Sequence, residues 1–225
     1  MRTEPDGGQA GEPQHRPPPG LAAIVLAGGD SSRFGSDKLA ASYRGRPLLW
    51  HALAAVETVA NESILALASD APIPALPPAG RAPAIVRDAF PDAGPLVGLL
   101  AGLRSTPAAV AVLIGADMPL VRADVLRLLA GRIVADERIA AAALLEGGRL
   151  RPLPCALRVE PARVAAERLV AAGERSLRSL LRALGATAVD EIEWRALDPD
   201  ALSLRDVDTP LDLARLDRGS SRGPC

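Results

Sequence analysis

The sequence predicts an α/β fold of three layers built on a mainly parallel sheet. Three observations predict it. Short apolar runs alternate with amphipathic stretches along the chain. Several runs have no polar face, as strands covered on both sides do. Segments bearing glycine, aspartate and the single lysine follow those runs directly, where open parallel sheets place their ligands.

The elements follow in order. Residues 1–20, MRTEPDGGQAGEPQHRPPPG, hold too little apolar material for a core and read as a disordered tail. LAAIVLA (21–27) is a buried strand ending at Gly-Gly. PLLWHALAAVETVA (47–60) opens on Pro and repeats apolar residues at helical spacing. SILALAS (63–69) and APAIVRD (82–88) read as strands, and GPLVGLLAGLRS (94–105) as a helix. AAVAVLIGADMP (108–119) is the strongest strand and ends in a short acidic loop. A helix follows at 123–134, then strands at 138–146 and 151–159, with Cys155 as a buried thiol. Helices near 161–172 and 176–184, a strand near 186–190 and a helix from about 210 complete a single domain over 21–218. GSSRGPC (219–225) reads as a second tail.

Bulk properties narrow the function. A net charge of −1 gives no general attraction to nucleic acid, and 2% aromatics leaves no base-stacking platform. The two cysteines make no framework or metal cluster. No apolar run is long enough for a membrane helix, and no signal peptide is visible, so the expectation is a cytoplasmic protein, monomeric or weakly oligomeric. His51 lies within a helix, and no Cys–His pair offers a nucleophile.

The chain carries 26 lysines and arginines, and Lys38 is the single lysine among them. It lies in LAGGDSSRFGSDKLA (26–40), directly after the first strand. Gly28 and Gly29 let backbone N–H groups approach an anion. A compact ammonium with three donors suits phosphate oxygens, and Arg33 adds a second cation. The loop is neither a phosphate loop of the G-x-x-x-x-G-K-[ST] type nor G-x-G-x-x-G.

These residues resemble the signature loop of the sugar-nucleotide-type nucleotidyltransferases, and within them the molybdenum cofactor guanylyltransferases, whose loop reads roughly LAGG-x-S-x-R-[MF]-G-x-D-K. The resemblance spans about residues 21–217. It implies a three-layer Rossmann-like nucleotidyltransferase fold in which Leu26, Ala27, Gly28 and Lys38 hold the nucleotide, with Lys38 on its triphosphate. It implies that Asp88, ahead of Gly-Pro-Leu-x-Gly, contacts nucleotide, and that Asp117 in LIGADMP binds Mg²⁺, a role a hard carboxylate suits. Asp88 or Asp92 reads equally as a helix cap, and Asp124 is the better structural cap.

The far end extends the resemblance. RPLPCALR (151–158) is similar to the family's H-P-x-x-A-L strand. AAGERSLRSLL (171–181) resembles its Gly-Glu-Arg segment and puts Arg175 near the pterin, while Arg178 and Arg182 read equally as solvated helix positions. DVDTPLDLARL (206–216) is similar to Asn-x-Asn-Thr-Pro-x-x-L with Asp206 and Asp208 at the Asn positions, as in the cytidylyltransferase relatives. Asp208 or Thr209 also reads as a helix cap. A base-contacting Asn of the family pattern falls on Leu67. The implied activity is transfer of GMP from GTP to molybdopterin, with Lys38, Asp117 and Arg33 catalytic, and Arg33, Arg175, Asp206 and Asp208 on the substrate. Mg²⁺ is expected on Asp117 and, more weakly, on Asp208, since a carboxylate there in place of Asn sits beside an acceptor phosphate only if a cation lies near. The alternatives are a cytidylyltransferase using CTP and a nucleotide-binding module without catalysis.

Overall fold

A computed structural model describes residues 20–28, 38–88 and 93–220. The elements run β1 (Leu21–Leu26), the hairpin β2 (Ser42–Tyr43) and β3 (Arg46–Pro47), α1 (Leu48–Glu57), β4 (Glu62–Leu67), β5 (Ala84–Arg87), α2 (Pro95–Ser105) and β6 (Val110–Gly115). They continue as α3 (Ala123–Ala135), β7 (Ala141–Glu146), β8 (Arg149–Arg158), α4 (Val159–Ala171), α5 (Leu177–Ala183), β9 (Thr187–Val189), α6 (Glu191–Leu197) and α7 (Pro210–Ser220). α7 therefore passes the domain end expected at 218. The tails expected at each terminus lie outside the described residues, apart from Gly20, Gly219 and Ser220.

Seven strands form one sheet in the order β5-β4-β1-β6-β8-β7-β9. β1 pairs in parallel with β4 and β6, and β4 with β5. β8 runs antiparallel to both its neighbours, β6 and β7. The strand period of two sends alternate residues to opposite layers. Ala23 and Val25 of β1 face α1 and α3, and Ala22 and Ile24 face α2 and α4. All six residues of β1 and of β6 are buried, which explains their unbroken apolar runs.

α2 approaches β1 closely through its glycines. A Cβ on Gly102 would stand 2.8 Å from Cγ2 of Ile24. Trp194 of α6 is fully buried and donates from Nε1 to the Leu145 carbonyl, tying α6 to β7. Sequence periodicity passed over α6 and the β2–β3 hairpin because both are short. Cys155 is buried among apolar side chains, and burial pushes its thiol up to about 12, so it is structural. Among the described residues, no helix is long and apolar enough to cross a membrane.

Candidate active site

β1, β4, β5 and β6 all end at one edge of the sheet, and the polar residues gather there. The turn after β1 is fixed by two backbone bonds: Ala27 N–H donates to the Ala66 carbonyl, and Ala116 N–H to the Leu26 carbonyl. Lys38 begins a single 3₁₀ turn, Lys38–Ala40, which runs into the β2–β3 hairpin. His51 holds that hairpin, its Nε2 2.9 Å from the Tyr43 carbonyl and its ring edge-on to Tyr43.

Asp117 leaves the end of β6 and folds back over Gly115, where any Cβ would collide with its Oδ1. A third segment, 206–208, docks from the far end of the chain. Val207 N–H donates to the Asp117 carbonyl at 3.0 Å. The Val207 side chain is buried with Tyr43, Leu48 and Leu216. In this extended stretch Val207 points inward, so Asp206 and Asp208 point outward. Ahead of it, buried Asp198 accepts from the N–H groups of Leu202 and Ser203, and Ser203 Oγ accepts from Arg122 N–H. Thr209, not Asp208, caps α7: Thr209 N–H donates to Asp212 Oδ2, and Asp212 N–H to Thr209 Oγ1. Asp208 is thereby left for the site.

There, Lys38 Nζ donates to Asp117 Oδ2 at 2.8 Å and to Asp208 Oδ1 at 2.7 Å. Burial opposes the ammonium's charge, and the bonds to Asp117 and Asp208 more than offset it, so Lys38 titrates above its ordinary value. Asp206 titrates above the usual carboxylate range through burial first and then the negative field of Asp208 and Asp117. Two carboxylate oxygens thus converge on one cation, across separations of 79 and 170 residues. A pair of carboxylate oxygens converging on one cation is the donor type a hard divalent cation takes, and among the described residues no three His, Cys, Asp or Glu side chains gather to hold a metal ion.

Asp88 lines a second part of the same edge. Its backbone N–H donates to the Leu67 carbonyl. Oδ2 stands 3.8 Å from where a Gly28 Cβ would be, and Oδ1 2.9 Å from where a Gly98 Cβ would be. Burial raises its pKa. Asp88 caps no helix, because the N-cap of α2 is Gly94 and has no side-chain bond. Asp124 is not a cap either: it lies in the first turn of α3 and pairs with Arg127 at 2.8 Å. Leu67 is buried in the core. The loop after it carries the polar atoms instead, held by Arg87 Nη1, which donates to the carbonyls of Ala68, Ser69 and Ala71. Sequence reasoning passed over Ser69, Arg87 and Val207, since a serine, a strand arginine and a lone valine carry no signature.

Arg175 takes a structural position. Its guanidinium donates to the carbonyls of Val170 and Glu174, and its own carbonyl accepts from Leu96 N–H at the start of α2. Arg33 and Asp92 lie outside the described residues. Among the described residues, three buried side-chain atoms lack a hydrogen-bond partner: Ser69 Oγ, Asp88 Oδ1 and Arg151 Nε. Orphaned buried polar atoms are rare, and each calls for a partner such as an ordered water or a ligand atom. Two of these three, Ser69 Oγ and Asp88 Oδ1, lie just beyond β4 and β5, and Asp88 reaches Gly28 with its other oxygen.

A parallel-sheet edge that brings a glycine turn, one lysine and converging carboxylates together defines a nucleotidyltransferase of the α/β class. Residues 23–189 match the MobA-like NTP transferase domain, and the chain belongs to that family. It is 32% identical over 196 residues to a probable molybdenum cofactor guanylyltransferase of Chloroflexus aggregans, covering 86% of this chain and 91% of that one. A probable molybdenum cofactor guanylyltransferase of Mycobacterium avium is 34% identical over 200 residues, 87% and 94% of the two chains. The fold matches molybdopterin-guanine dinucleotide biosynthesis protein A of Archaeoglobus fulgidus with a TM-score of 0.69 at 21% identity, over 90% of this chain and all of that one.

Proposed function

We propose that this protein transfers GMP from GTP to the terminal phosphate of molybdopterin and releases pyrophosphate. The observation that carries the reading is the convergence of Lys38, Asp117 and Asp208, on the fold of a family whose 32% and 34% identical relatives are named for that reaction.

An oxygen of the acceptor phosphate attacks the α-phosphorus of GTP. The new P–O bond forms as the bond from the α-phosphorus to the α–β bridging oxygen breaks, and pyrophosphate leaves with that electron pair. Such chemistry needs positioning and charge neutralisation more than a protein nucleophile. The backbone at Leu26, Ala27 and Gly28 admits the nucleotide. Asp88, with its orphaned Oδ1, and Ser69 Oγ offer it polar partners. Lys38 exchanges one of its aspartates for phosphate oxygens and holds the charge of the leaving group, and Arg33 adds a second cation. Asp117 and Asp208 would hold Mg²⁺, which supplies further neutralisation of the triphosphate when bound. Asp206 faces the acceptor beside Asp208, and Arg175 fixes the loop at the start of α2. The protein works in the cytoplasm as a monomer or weak oligomer, with neither nucleic acid nor membrane as partner.

The test is pyrophosphate release with molybdopterin and each of GTP, CTP, ATP and UTP. GTP alone should support turnover. Turnover with CTP only would make the enzyme a cytidylyltransferase, and tight nucleotide binding without pyrophosphate would make it a binding module.

A further inference from the structure

The third orphaned atom, Arg151 Nε, lies away from the nucleotide turn. It belongs to a pocket of about 620 Å³ between the start of β8, the end of β7 and α5. Arg149, Arg151, Arg178 and Arg182 line it, over a floor that includes Leu150 and Leu181.

Its charge is unbalanced. The single carboxylate in the lining, Glu146, is shared between Arg151 at 3.6 Å and Arg195 at 3.8 Å. Among the described residues, no carboxylate comes within ion-pair distance of Arg149, Arg178 or Arg182. Arg178 and Arg182 stand at i and i+4 on exposed positions of α5, a like-charge spacing that costs the helix stability. A chain of net charge −1 has carboxylates enough to pair its arginines, yet among the described residues only Arg151 of these four has an ion pair, to a Glu146 it shares with Arg195. Glu174 acts on Arg182 only from beyond ion-pair distance. An anion would offset that cost and complete the bonding of Arg151.

The pocket lies at the same edge of the sheet as the reaction centre, on the next strands along. β8 neighbours β6, about 4.8 Å away. Their antiparallel pairing runs from Val110↔Arg158 to Leu113↔Cys155. Arg151 and Arg149 precede that stretch on β8, so they lie towards the end of β6 from which Asp117 emerges. Guanidinium groups pair with anions in bidentate fashion and stack on flat rings, and the leucines offer such a ring an apolar floor.

Resting on the transferase reading above, we propose that this pocket is the subsite for the body of the acceptor. Arg149, Arg151, Arg178 and Arg182 take its anionic groups and stack on its pterin ring. The reactive phosphate extends along the sheet edge towards Lys38. Arg175, tied to backbone carbonyls, orders the turn from which α5 starts.

The experiment uses the full chain and the exposed double variant Arg178→Ala/Arg182→Ala, with Arg168→Ala on α4 as a control. Binding is read from the fluorescence of 6-hydroxymethylpterin monophosphate, and turnover from pyrophosphate release with GTP and molybdopterin. The double variant should bind the pterin probe about 10-fold more weakly and raise KM for molybdopterin by a similar factor. KM for GTP should stay within about 2-fold, and the control should match wild type. Wild-type affinity for the probe and wild-type KM for molybdopterin in the double variant would overturn the assignment. So would a wild type that does not bind the probe. A wild type that binds the probe through these arginines but releases no pyrophosphate would overturn the transferase reading and leave the pocket standing.

Discussion

The sheet edge handles charge in opposite ways at two places. Beyond β1 and β6 the charges are already matched: Lys38 bonds to Asp117 and Asp208, and Asp206 lies in their field. Beside β8 four arginines line one pocket, and among the described residues only Arg151 of the four has an ion pair, to a Glu146 shared with Arg195. A ligand arriving at the first place must compete with an internal ion pair, whereas an anion arriving at the second relieves repulsion. The first suits a step in which charge moves between partners during reaction. The second suits ground-state holding of a substrate.

The difference also fixes what each substitution should do. The largest effect is expected at Asp117. Asp117→Asn removes the carboxylate that both orients Lys38 and would hold Mg²⁺, so pyrophosphate release should fall by about 100-fold or more, ~2.7 kcal/mol of barrier. Retention of a tenth of the wild-type rate would move the centre elsewhere. Lys38→Arg keeps the charge but puts a wide planar group where a compact one bridges two oxygens. Turnover should fall by about 10-fold or more, ~1.4 kcal/mol. Wild-type turnover would mean that any cation serves there.

Asp208→Asn should be milder. Asp208 is more exposed than Asp117, its side chain 55% accessible against 28%. The change should chiefly raise the Mg²⁺ concentration needed for half-maximal rate. An unchanged Mg²⁺ dependence would leave Asp117 as the sole holder.

The smallest effects separate two glycines of α2. In Gly98→Ala the new methyl presses on Asp88 Oδ1, at 2.9 Å, and should raise KM for GTP several-fold with little change in Tm. In Gly102→Ala it presses on Ile24 in the core, at 2.8 Å, and should cost about 1–3 kcal/mol in denaturant unfolding with KM intact. Identical behaviour of the two variants would deny Asp88 its nucleotide role.

The fold was largely legible because its strands are buried on both faces. β1 and β6 read as strands directly, since burial on both sides leaves no polar interruption. α6 did not, because seven residues hold only one fully buried anchor, Trp194; its cue was Asp190, whose side chain caps the helix ahead of an acidic first turn. Lys38 stood out as the chain's one ammonium, but its partners lie 79 and 170 residues away. Those contacts come from packing: Val207 joins the hairpin's Tyr43 in a small cluster and carries the two aspartates with it. The arginine pocket was illegible for a similar reason. Arg178 and Arg182 look like solvated helix positions until β8 and the β7–β8 turn are folded against them.

The most direct measurement is a crystal structure with a non-hydrolysable GTP analogue and Mg²⁺. Lys38 Nζ should leave Asp208 for an oxygen of the triphosphate while Asp117 faces the metal. If the nucleotide binds and Lys38 still bridges Asp117 and Asp208 without touching a phosphate, the pair is a structural clamp and Lys38 has no part in the transfer.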